Sequence, residues 1–373
     1  MKNTHNKSQL PGELFLPRLV KLGWLPFFQQ QYEKSAADST PARVVGVHRH
    51  VYSVTQGDGV FHVSLAGRLY NQAGGIYPVV GDWVLVKEQV ITTIFTRNNL
   101  LSRKITGGKS GRKAGVYDEQ GIAANLDFAF IVCGLDRDYN LARIERYLTL
   151  AYNCGIQPVI LLSKADLQQN PEQFVSEVEA IAPGVPVYSL SLYDTDAVTA
   201  VSTLLYPHRT ATLIGSSGAG KSTLINHLAG KNIRQTQAVG KRVGKGRHTT
   251  TSRDLFLLPG GGMVIDNPGI REIGLSRQVT ESTNAFPDIE ALAGQCRFSN
   301  CTHTCEPGCR VLEAIGTGEI SSRRLNNYIK LNNELDYTRE RQNKSADRVE
   351  KERWQHISKK VKNLKNRRSQ QWK

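Results

Sequence analysis

Residues 215–222 form the segment whose residue types and spacing point most specifically to chemistry. They read Gly-Ser-Ser-Gly-Ala-Gly-Lys-Ser and fit the pattern G-x-x-x-x-G-K-[ST]. Glycines at these spacings let backbone N–H groups turn toward phosphate oxygens at the start of a helix. The Lys221 ammonium suits the β- and γ-phosphates, and the Ser222 hydroxyl suits Mg²⁺. The segment therefore predicts a nucleoside triphosphate site.

The flanking residues supply the strand–loop–helix context that this motif requires. An apolar run, Ala211–Ile214, precedes the loop, and a predicted helix, Thr223–Ala229, follows it. A second segment, residues 107–110, looks similar, but Arg103 stands where the leading glycine is needed and no apolar strand precedes it. We interpret that segment as a basic linker.

Residues 163–166 predict which base is bound. They read Ser-Lys-Ala-Asp, end the apolar strand Val159–Leu162, and are similar to the [NT]-K-x-D element of GTPases. In that element the aspartate accepts two hydrogen bonds from guanine, and the lysine stem covers the ring. Asp166 would thus select guanine, because adenine offers no such donor pair. A surface loop is the alternative for S-K-x-D alone, and Ser189–Ser191 is a weaker candidate for a further guanine contact.

Two later segments resemble the switch regions of GTPases. Residues 246–251 contain three threonines, of which Thr250 is favoured to cap the γ-phosphate and Mg²⁺. Asp266-Asn267-Pro268-Gly269 resembles the D-x-P-G element, in which Asp266 holds Mg²⁺ through water and the Gly269 N–H contacts the γ-phosphate. A simple turn is the alternative for the second segment.

The order of these motifs is unusual. Ordinary GTPases place the guanine element after the phosphate loop and the switches, whereas here residues 163–166 precede residues 215–222. A sheet tolerates such a circular permutation when the same strands occupy the same places.

The residue that activates water is not evident from the motifs. Ile270 occupies the position where Ras-like GTPases carry a glutamine, and an aliphatic side chain cannot orient water. We therefore predict slow intrinsic hydrolysis. His248 is the first candidate for a catalytic group and Arg247 the second, since an inserted arginine stabilises the transition state.

A third cluster predicts a metal site. Cys296, Cys301, His303 and Cys309 have the spacing C-x4-C-x-H-x5-C, which suits a closed tetrahedral Zn²⁺ site of structural type. Cys305 could replace His303 or stay free. In a cytosolic protein such a cluster is better explained by metal than by disulfides, and reduced cysteines without metal are the alternative.

Two groups of predicted strands must position these residues. Five short strands predict a small barrel, with an OB-fold as the first interpretation and an SH3-like or purely structural barrel as alternatives: Ala42–Val47, Val51–Thr55, Val60–Leu65, Tyr77–Val86 and Val90–Phe95. Nucleic acid could contact the barrel through Arg43, His48, Arg49, His50 and Arg68.

From about residue 120, apolar strands alternate with helices, which predicts a parallel sheet: Leu126–Cys133, Gln157–Leu162, Val185–Leu190, Thr210–Ile214 and Gly262–Ile265, with a helix at Leu141–Asn153. Residues 1–40 are predicted to be mobile, because Pro11, Pro17 and Pro26 should break any helix.

Composition narrows the class of protein. The 373 residues suggest two or three domains, and the apolar fraction of 39% supports packed cores. No apolar stretch is long enough to span a membrane, and the N-terminus lacks the apolar core of a signal peptide, which predicts a cytoplasmic protein.

The formal net charge of +15 is concentrated in three stretches without acids. Residues 90–117, 231–253 and 353–373 hold six, seven and eight Lys/Arg respectively. Such one-signed stretches predict a polyanionic partner. Basic tails that only aid solubility are one alternative, and an anionic membrane is a weaker one.

Permuted GTPase motifs, an N-terminal small barrel and the Cys/His cluster together resemble the ribosome small-subunit-dependent GTPase A family, over roughly residues 41–335. The resemblance implies an OB-fold, a circularly permuted α/β P-loop GTPase domain and a C-terminal zinc-binding helical domain. It implies GTP hydrolysis late in maturation of the small ribosomal (30S) subunit, stimulated by that subunit, with rRNA as a partner. It also implies one structural Zn ion, Mg bound with GTP, and a monomeric chain. The implied domains are an extension (1–40), a barrel (41–105), a linker and G domain (106–280), a zinc domain (281–340) and a basic tail (341–373). The implied GTP contacts are Ser163, Lys164, Asp166, Gly215, Ser216, Ser217, Gly218, Ala219, Gly220, Lys221, Ser222, Thr223, Asp266 and Gly269. The implied zinc ligands are Cys296, Cys301, His303 and Cys309.

Three other functions are compatible with some of the motifs. A P-loop kinase would need an acceptor site and a lid that carries arginine. A GTP-gated RNA-binding assembly factor would use hydrolysis only to time its release. A zinc-dependent DNA binder is disfavoured, because nothing beside the cluster resembles a recognition helix.

Overall fold

The computed structural model describes residues 12–35, 38–48, 51–70, 77–104, 119–191, 194–230, 253–267 and 285–343. The chain divides into two compact units, one of residues 1–102 and 121–273 and the other of residues 103–120 and 274–373. None of the described helices combines the length and the apolar character that a membrane span requires.

Two helices precede the barrel, α1 (Gly12–Lys21) and α2 (Pro26–Glu33). The prediction that prolines break any helix in this region is therefore wrong. Pro26 lies in the first turn of α2, where its missing N–H would have no partner within the helix. Pro17 lies inside α1, where apolar burial offsets the hydrogen bond that proline cannot donate. The buried side chains around the two helices are Leu19, Leu22, Trp24, Phe28, Trp83, Leu85 and Phe95.

Five strands then close into a barrel. They are β1 (Thr40–His48), β2 (Val51–Thr55), β3 (Val60–Leu65), β4 (Trp83–Lys87) and β5 (Val90–Ile94), with a one-turn helix α3 (Gly67–Tyr70) after β3. Neighbours follow the order β1-β2-β3-β5-β4, and β4 pairs again with β1. Apolar side chains such as Val44, Val54 and Val84 fill the interior. The predicted five-stranded barrel is confirmed, although its fourth strand begins at Trp83 and not at the predicted Tyr77.

The chain next forms a two-stranded sheet, β6 (Leu100–Lys104) and β7 (Glu119–Ala124), and then the strands of a larger sheet. These strands are β8 (Phe128–Gly134), β9 (Gln157–Ser163), β10 (Val187–Leu190), β11 (Thr210–Ile214), β12 (Arg253–Leu257) and β13 (Met263–Asp266). Helices between them are α4 (Leu141–Asn153), α5 (Pro171–Ile181), α6 (Thr195–Thr203) and α7 (Lys221–Ala229).

The larger sheet runs in the order β10-β9-β8-β11-β13-β12. Its first five strands are parallel, and β12 is antiparallel to β13. Every residue of β8 and β11 is buried, as continuous apolar runs predict for central parallel strands. The predicted parallel strands all occur within two residues of their predicted bounds, whereas the antiparallel strand β12 was not predicted.

The sheet continues into the barrel, because β12 pairs with β1 as well as with β13. Gly46 and Val47 of β1 pair with Asp254 and Arg253 of β12. The barrel and the parallel sheet therefore share backbone hydrogen bonds within one compact unit.

Arg43 lies buried at this junction, with 1% of its surface exposed. Its guanidinium donates to the Leu22 carbonyl, to Thr210 Oγ1 at 3.0 Å and to the Asn125 carbonyl at 3.3 Å. The prediction that Arg43 is available to nucleic acid is wrong, because protein acceptors surround its side chain. His48 and Arg68 are exposed, and Arg49 and His50 lie outside the described residues.

The second unit is helical over residues 285–343. Its helices are α8 (Pro287–Ala293), α9 (Arg310–Gly316) and α10 (Ser322–Asn343). Arg324 of α10 forms a two-point ion pair with Asp288 of α8, with distances of 2.6 and 2.7 Å. Tyr328 donates to Glu290 at 2.8 Å. These bonds hold α10 against α8 on one side of the cysteine cluster.

Candidate functional site

The phosphate loop lies between β11 and α7, at the carboxyl edge of the parallel sheet. Gly215 must be glycine, because a Cβ there would lie 2.2 Å from the Val132 carbonyl oxygen. Gly218 and Gly220 have φ values of 87° and 90°, in the left-handed region that glycine favours. The loop therefore leads into the N-terminus of α7, where free N–H groups and the helix dipole favour an anion.

The Lys221 ammonium is folded back over this loop. It donates to the Gly215 carbonyl at 2.8 Å and to the Ser216 carbonyl. These two carbonyls hold the ammonium beside the loop. In a nucleotide complex, phosphate oxygens would replace them as acceptors. The Ser216 hydroxyl is buried and, among the described residues, has no hydrogen-bond partner.

Ser163 connects the predicted guanine element to the phosphate loop. Its hydroxyl, buried at the end of β9, donates to the Ala219 carbonyl at 2.6 Å. Segments separated by 56 residues thus meet across the strand β8 that lies between β9 and β11. Serine is long enough to make this link in place of the Asn or Thr of the usual element.

Lys164 and Asp166 follow directly. Lys164 adopts a left-handed conformation with φ of 61°, and its ammonium lies 2.6 Å from Asp136 Oδ2. Asp166 lies in a one-turn 3₁₀ helix (Ala165–Leu167) and is exposed. Over the part of the chain that the structure describes, no group bonds to the Asp166 carboxylate, so both of its oxygens remain open to a ligand.

Asp136 was not singled out by the sequence motifs. It follows β8, and its Oδ1 accepts a hydrogen bond from the Asp138 N–H at 3.0 Å. Burial opposes ionisation of this carboxyl, but hydrogen bonds from Lys164 and the Asp138 amide prevail and hold its pKa below the usual value. The signal available in the sequence was only its position at the end of an apolar strand.

Asp266 is the last residue of β13, the strand next to β11, which leads into the phosphate loop. Its side chain is 6% exposed, and β13 pairs in parallel with β11. The neighbouring Asn267 donates from its amide nitrogen to Thr212 Oγ1 at 2.6 Å. Five residues that the sequence analysis considered lie outside the described residues: Arg247, His248, Thr250, Gly269 and Ile270. The structure thus brings together the ends of β8, β9, β11 and β13 at one edge, where ligands bind in parallel sheets.

The metal cluster lies in the second unit. Donor atoms of Cys296, Cys301, His303 and Cys309 all fall within 4.8 Å of one another. Measured separations are 3.7 Å from Cys296 Sγ to His303 Nδ1, 3.9 Å from Cys296 Sγ to Cys309 Sγ, and 3.4 Å from His303 Nδ1 to Cys309 Sγ. A tetrahedral Zn²⁺ with ordinary bond lengths requires edges of roughly 3.5–3.8 Å, so the donors fit such an ion.

The surroundings of the cluster favour the ligand forms of His303 and Cys296, whereas desolvation and the neighbouring Cys309 and Cys296 thiols raise the pKa of Cys301 to about 11. Burial lowers the pKa of His303, which favours the neutral imidazole that metals bind. Burial opposes ionisation of Cys296, but backbone amides of Arg310 and Val311 prevail and lower the pKa of this thiol. Cys305 is exposed and lies outside the four-ligand group, so the geometry favours His303 over Cys305.

Comparisons with known proteins found a matching family model, similar sequences and similar folds. The RsgA GTPase family model matches residues 94–276. The chain is 43% identical over 315 residues to Small ribosomal subunit biogenesis GTPase RsgA 2 of Vibrio parahaemolyticus, covering 84% of each chain. The crystal structure of YjeQ from Thermotoga maritima is 26% identical with a TM-score of 0.58, covering 80% of this chain and 98% of that chain. The structure of YloQ, described as a circularly permuted GTPase, shares the fold at a TM-score of 0.54 and 22% identity, covering 80% of this chain and 96% of that one.

Proposed function

Because the chain belongs to the RsgA GTPase family and is a GTP hydrolase, we propose that it acts late in maturation of the small (30S) ribosomal subunit. We further propose that the bound subunit stimulates hydrolysis. The similarity to a small ribosomal subunit biogenesis GTPase of Vibrio parahaemolyticus supports the first proposal. The surplus of basic residues supports an RNA partner. We also propose that the chain acts in the cytoplasm, where ribosomal subunits are assembled, and that it is a monomer.

The hydrogen bond from Ser163 to the Ala219 carbonyl is the observation that carries the nucleotide site. This bond joins residues 163–166, the proposed guanine element, to the phosphate loop, which supports one guanine nucleotide contacting both. In this proposal Asp166 accepts hydrogen bonds from the guanine edge, and Lys164 covers the ring. Residues 215–223 hold the phosphates.

Magnesium would enter with GTP. Ser222 and Thr250 would be its protein ligands, and Asp266 would hold it through water. The ion would neutralise charge on the phosphates. The buried Asp266 side chain beside β11 supports this role, and the Gly269 N–H would contact the γ-phosphate.

Hydrolysis would be slow in the absence of the subunit, because Ile270 cannot orient water. His248 is the proposed group that the bound subunit brings into place, with Arg247 as the second candidate. Both belong to a stretch, residues 231–253, that carries seven basic residues and no acid, so rRNA phosphates would attract it.

The cysteine cluster would hold one structural Zn²⁺ through Cys296, Cys301, His303 and Cys309. Four protein ligands leave no open position for catalysis, so the ion would serve to fix this unit. The strand order β1-β2-β3-β5-β4 with closure onto β1 supports an OB-fold for the barrel, a fold that binds oligonucleotides in other proteins. We also propose the domain boundaries predicted from the sequence for residues 41–373.

GTP turnover measured with and without purified small subunits tests this function. We expect the subunit to raise the rate roughly tenfold or more, as inserted catalytic groups do in other GTPases. Lys221→Ala should lose turnover in both conditions, and His248→Ala should lose only the stimulated part. Equal rates with and without subunits would exclude stimulation. A rate that ATP supports as well as GTP would exclude guanine selection.

A further inference from the structure

Lys164 and Asp136 form an ion pair at the place where the guanine base is proposed to bind. The two residues end adjacent parallel strands, β9 and β8, and the distance from Nζ to Oδ2 is 2.6 Å. The side chains are 21% and 32% exposed, so the pair is partly shielded from solvent.

The loops that carry the pair are themselves tied together. The Leu135 N–H donates to the Ser163 carbonyl at 2.8 Å, and the Gln168 side chain donates to the Leu135 carbonyl. On the other side, the Ser163 hydroxyl bonds to the phosphate loop. Hydrogen bonds therefore join the two loops that carry the ion pair to each other and to the phosphate loop.

Each side chain is also oriented by the backbone of its own loop. The left-handed turn at Lys164 sets the direction in which its side chain leaves the chain. The Asp138 N–H holds Asp136 Oδ1, which leaves Oδ2 for the lysine. Gly134 makes room, because a Cβ there would lie 2.8 Å from Asp136 Oδ1 and 3.5 Å from Lys164 Cδ.

From this arrangement we propose that Asp136 is a positioning residue for guanine binding, acting through Lys164. By holding the ammonium, it fixes the apolar stem of Lys164 as a preformed surface on which the purine ring packs. A free lysine would have to be ordered when the nucleotide binds, and that entropy cost would weaken affinity. This inference rests on the guanine site proposed above.

Binding of GDP and steady-state turnover of GTP test the role of Asp136 in the full-length protein. Asp136→Asn should raise Kd for GDP and KM for GTP by roughly three- to tenfold and leave kcat unchanged, since the pair orders the ground state. Asp136→Glu should restore much of the affinity. The matched control is Asp138→Asn, in the same loop, where the carboxylate pairs with Arg143 instead. Unchanged affinity in Asp136→Asn, or an equal loss in both variants, would overturn the proposal.

A double-mutant cycle shows whether Asp136 acts through Lys164. Lys164→Met keeps the apolar stem and removes the ammonium. In that background Asp136→Asn should have no further effect on Kd, because the pair no longer exists. A full additional loss would show that Asp136 acts by another route.

Asp166→Ala separates this inference from the proposed function. If that variant loses guanine selection while Asp136→Asn binds as wild type, the site stands and the positioning role fails. If Asp166→Ala keeps the wild-type preference for GDP over ADP, the proposed guanine site fails, and the inference fails with it.

Discussion

At the scale of single residues, Glu306 shows how one side chain can shape a loop. Its carboxylate accepts hydrogen bonds from the N–H groups of Thr302, Thr304 and Cys305 at 3.0–3.1 Å and from the Thr302 hydroxyl. These bonds hold the pKa of Glu306 well below its usual range. The loop they wrap contains His303, which adopts the uncommon left-handed conformation with φ of 55°. Glu306 thus supports the backbone shape that presents the imidazole to the other three ligands.

Replacing Glu306 should weaken retention of the metal. Glu306→Gln removes the charge that three N–H groups share, so we expect the zinc-loaded protein to release its ion to a chelator roughly ten times faster. Zinc release is followed with a colorimetric chelator, independently of GTP turnover. Glu313→Gln is the control, because that carboxylate pairs with exposed Arg310 outside the loop. Identical release rates in the two variants would show that the loop does not depend on Glu306.

At the scale of elements, the pairing of β12 with β1 joins two folds into one sheet. The strand β12 follows the proposed first switch directly and pairs with both β13 and the barrel. Arg43 reinforces this junction by linking the turn after α1, the residue after β7 and the start of β11. Burial lowers the pKa of Arg43 to about 10, with Asp127 and Asp82 opposing, so the guanidinium stays charged at neutral pH.

Arg43 should therefore matter for stability and not for RNA binding. Arg43→Met leaves buried carbonyl and hydroxyl acceptors without a donor, and we expect a loss of about 2–4 kcal/mol in the free energy of unfolding. Arg68→Met is the matched control, since Arg68 is an exposed barrel arginine that donates to the Thr92 carbonyl. Its loss should stay within about 0.5 kcal/mol. Urea unfolding measures both, and equal losses would refute the structural role of Arg43.

At the scale of the whole molecule, charge is distributed unevenly. The net charge of +15 coexists with well-paired ions in the described parts of both units, such as Arg97 with Asp82 and Arg324 with Asp288. The surplus of basic residues in the sequence lies in the three stretches without acids. One of these, residues 353–373, carries eight basic residues at the C-terminal end of the chain.

Removing residues 353–373 should weaken binding to the small subunit and flatten its salt dependence. Each lysine or arginine on a phosphate releases counterions, so the slope of log affinity against log salt should fall in magnitude by several units. Binding of the full-length and shortened chains to purified subunits across a salt titration measures this slope. GTP turnover without subunits serves as the control and should not change. Superimposable titrations would show that the tail does not contact RNA.

The amino-acid sequence by itself determined the features that depend on neighbouring residues. The phosphate loop, the ligand spacing of the cysteine cluster and the apolar strands of the parallel sheet are written in short contiguous patterns, so their local physics could be evaluated directly. The five barrel strands followed from alternation and turns in the same way.

Tertiary structure alone decided the features that depend on residues far apart in the chain. Arg43 could not be distinguished from an exposed arginine until Thr210, 167 residues away, was found beside it. Asp136 gained a role only when β8 and β9 became neighbours. Helix α1 forms despite Pro17 because the barrel supplies Trp83 and Phe95 as apolar partners. In each case the deciding free energy comes from burial and hydrogen bonds between distant segments, which no local pattern records.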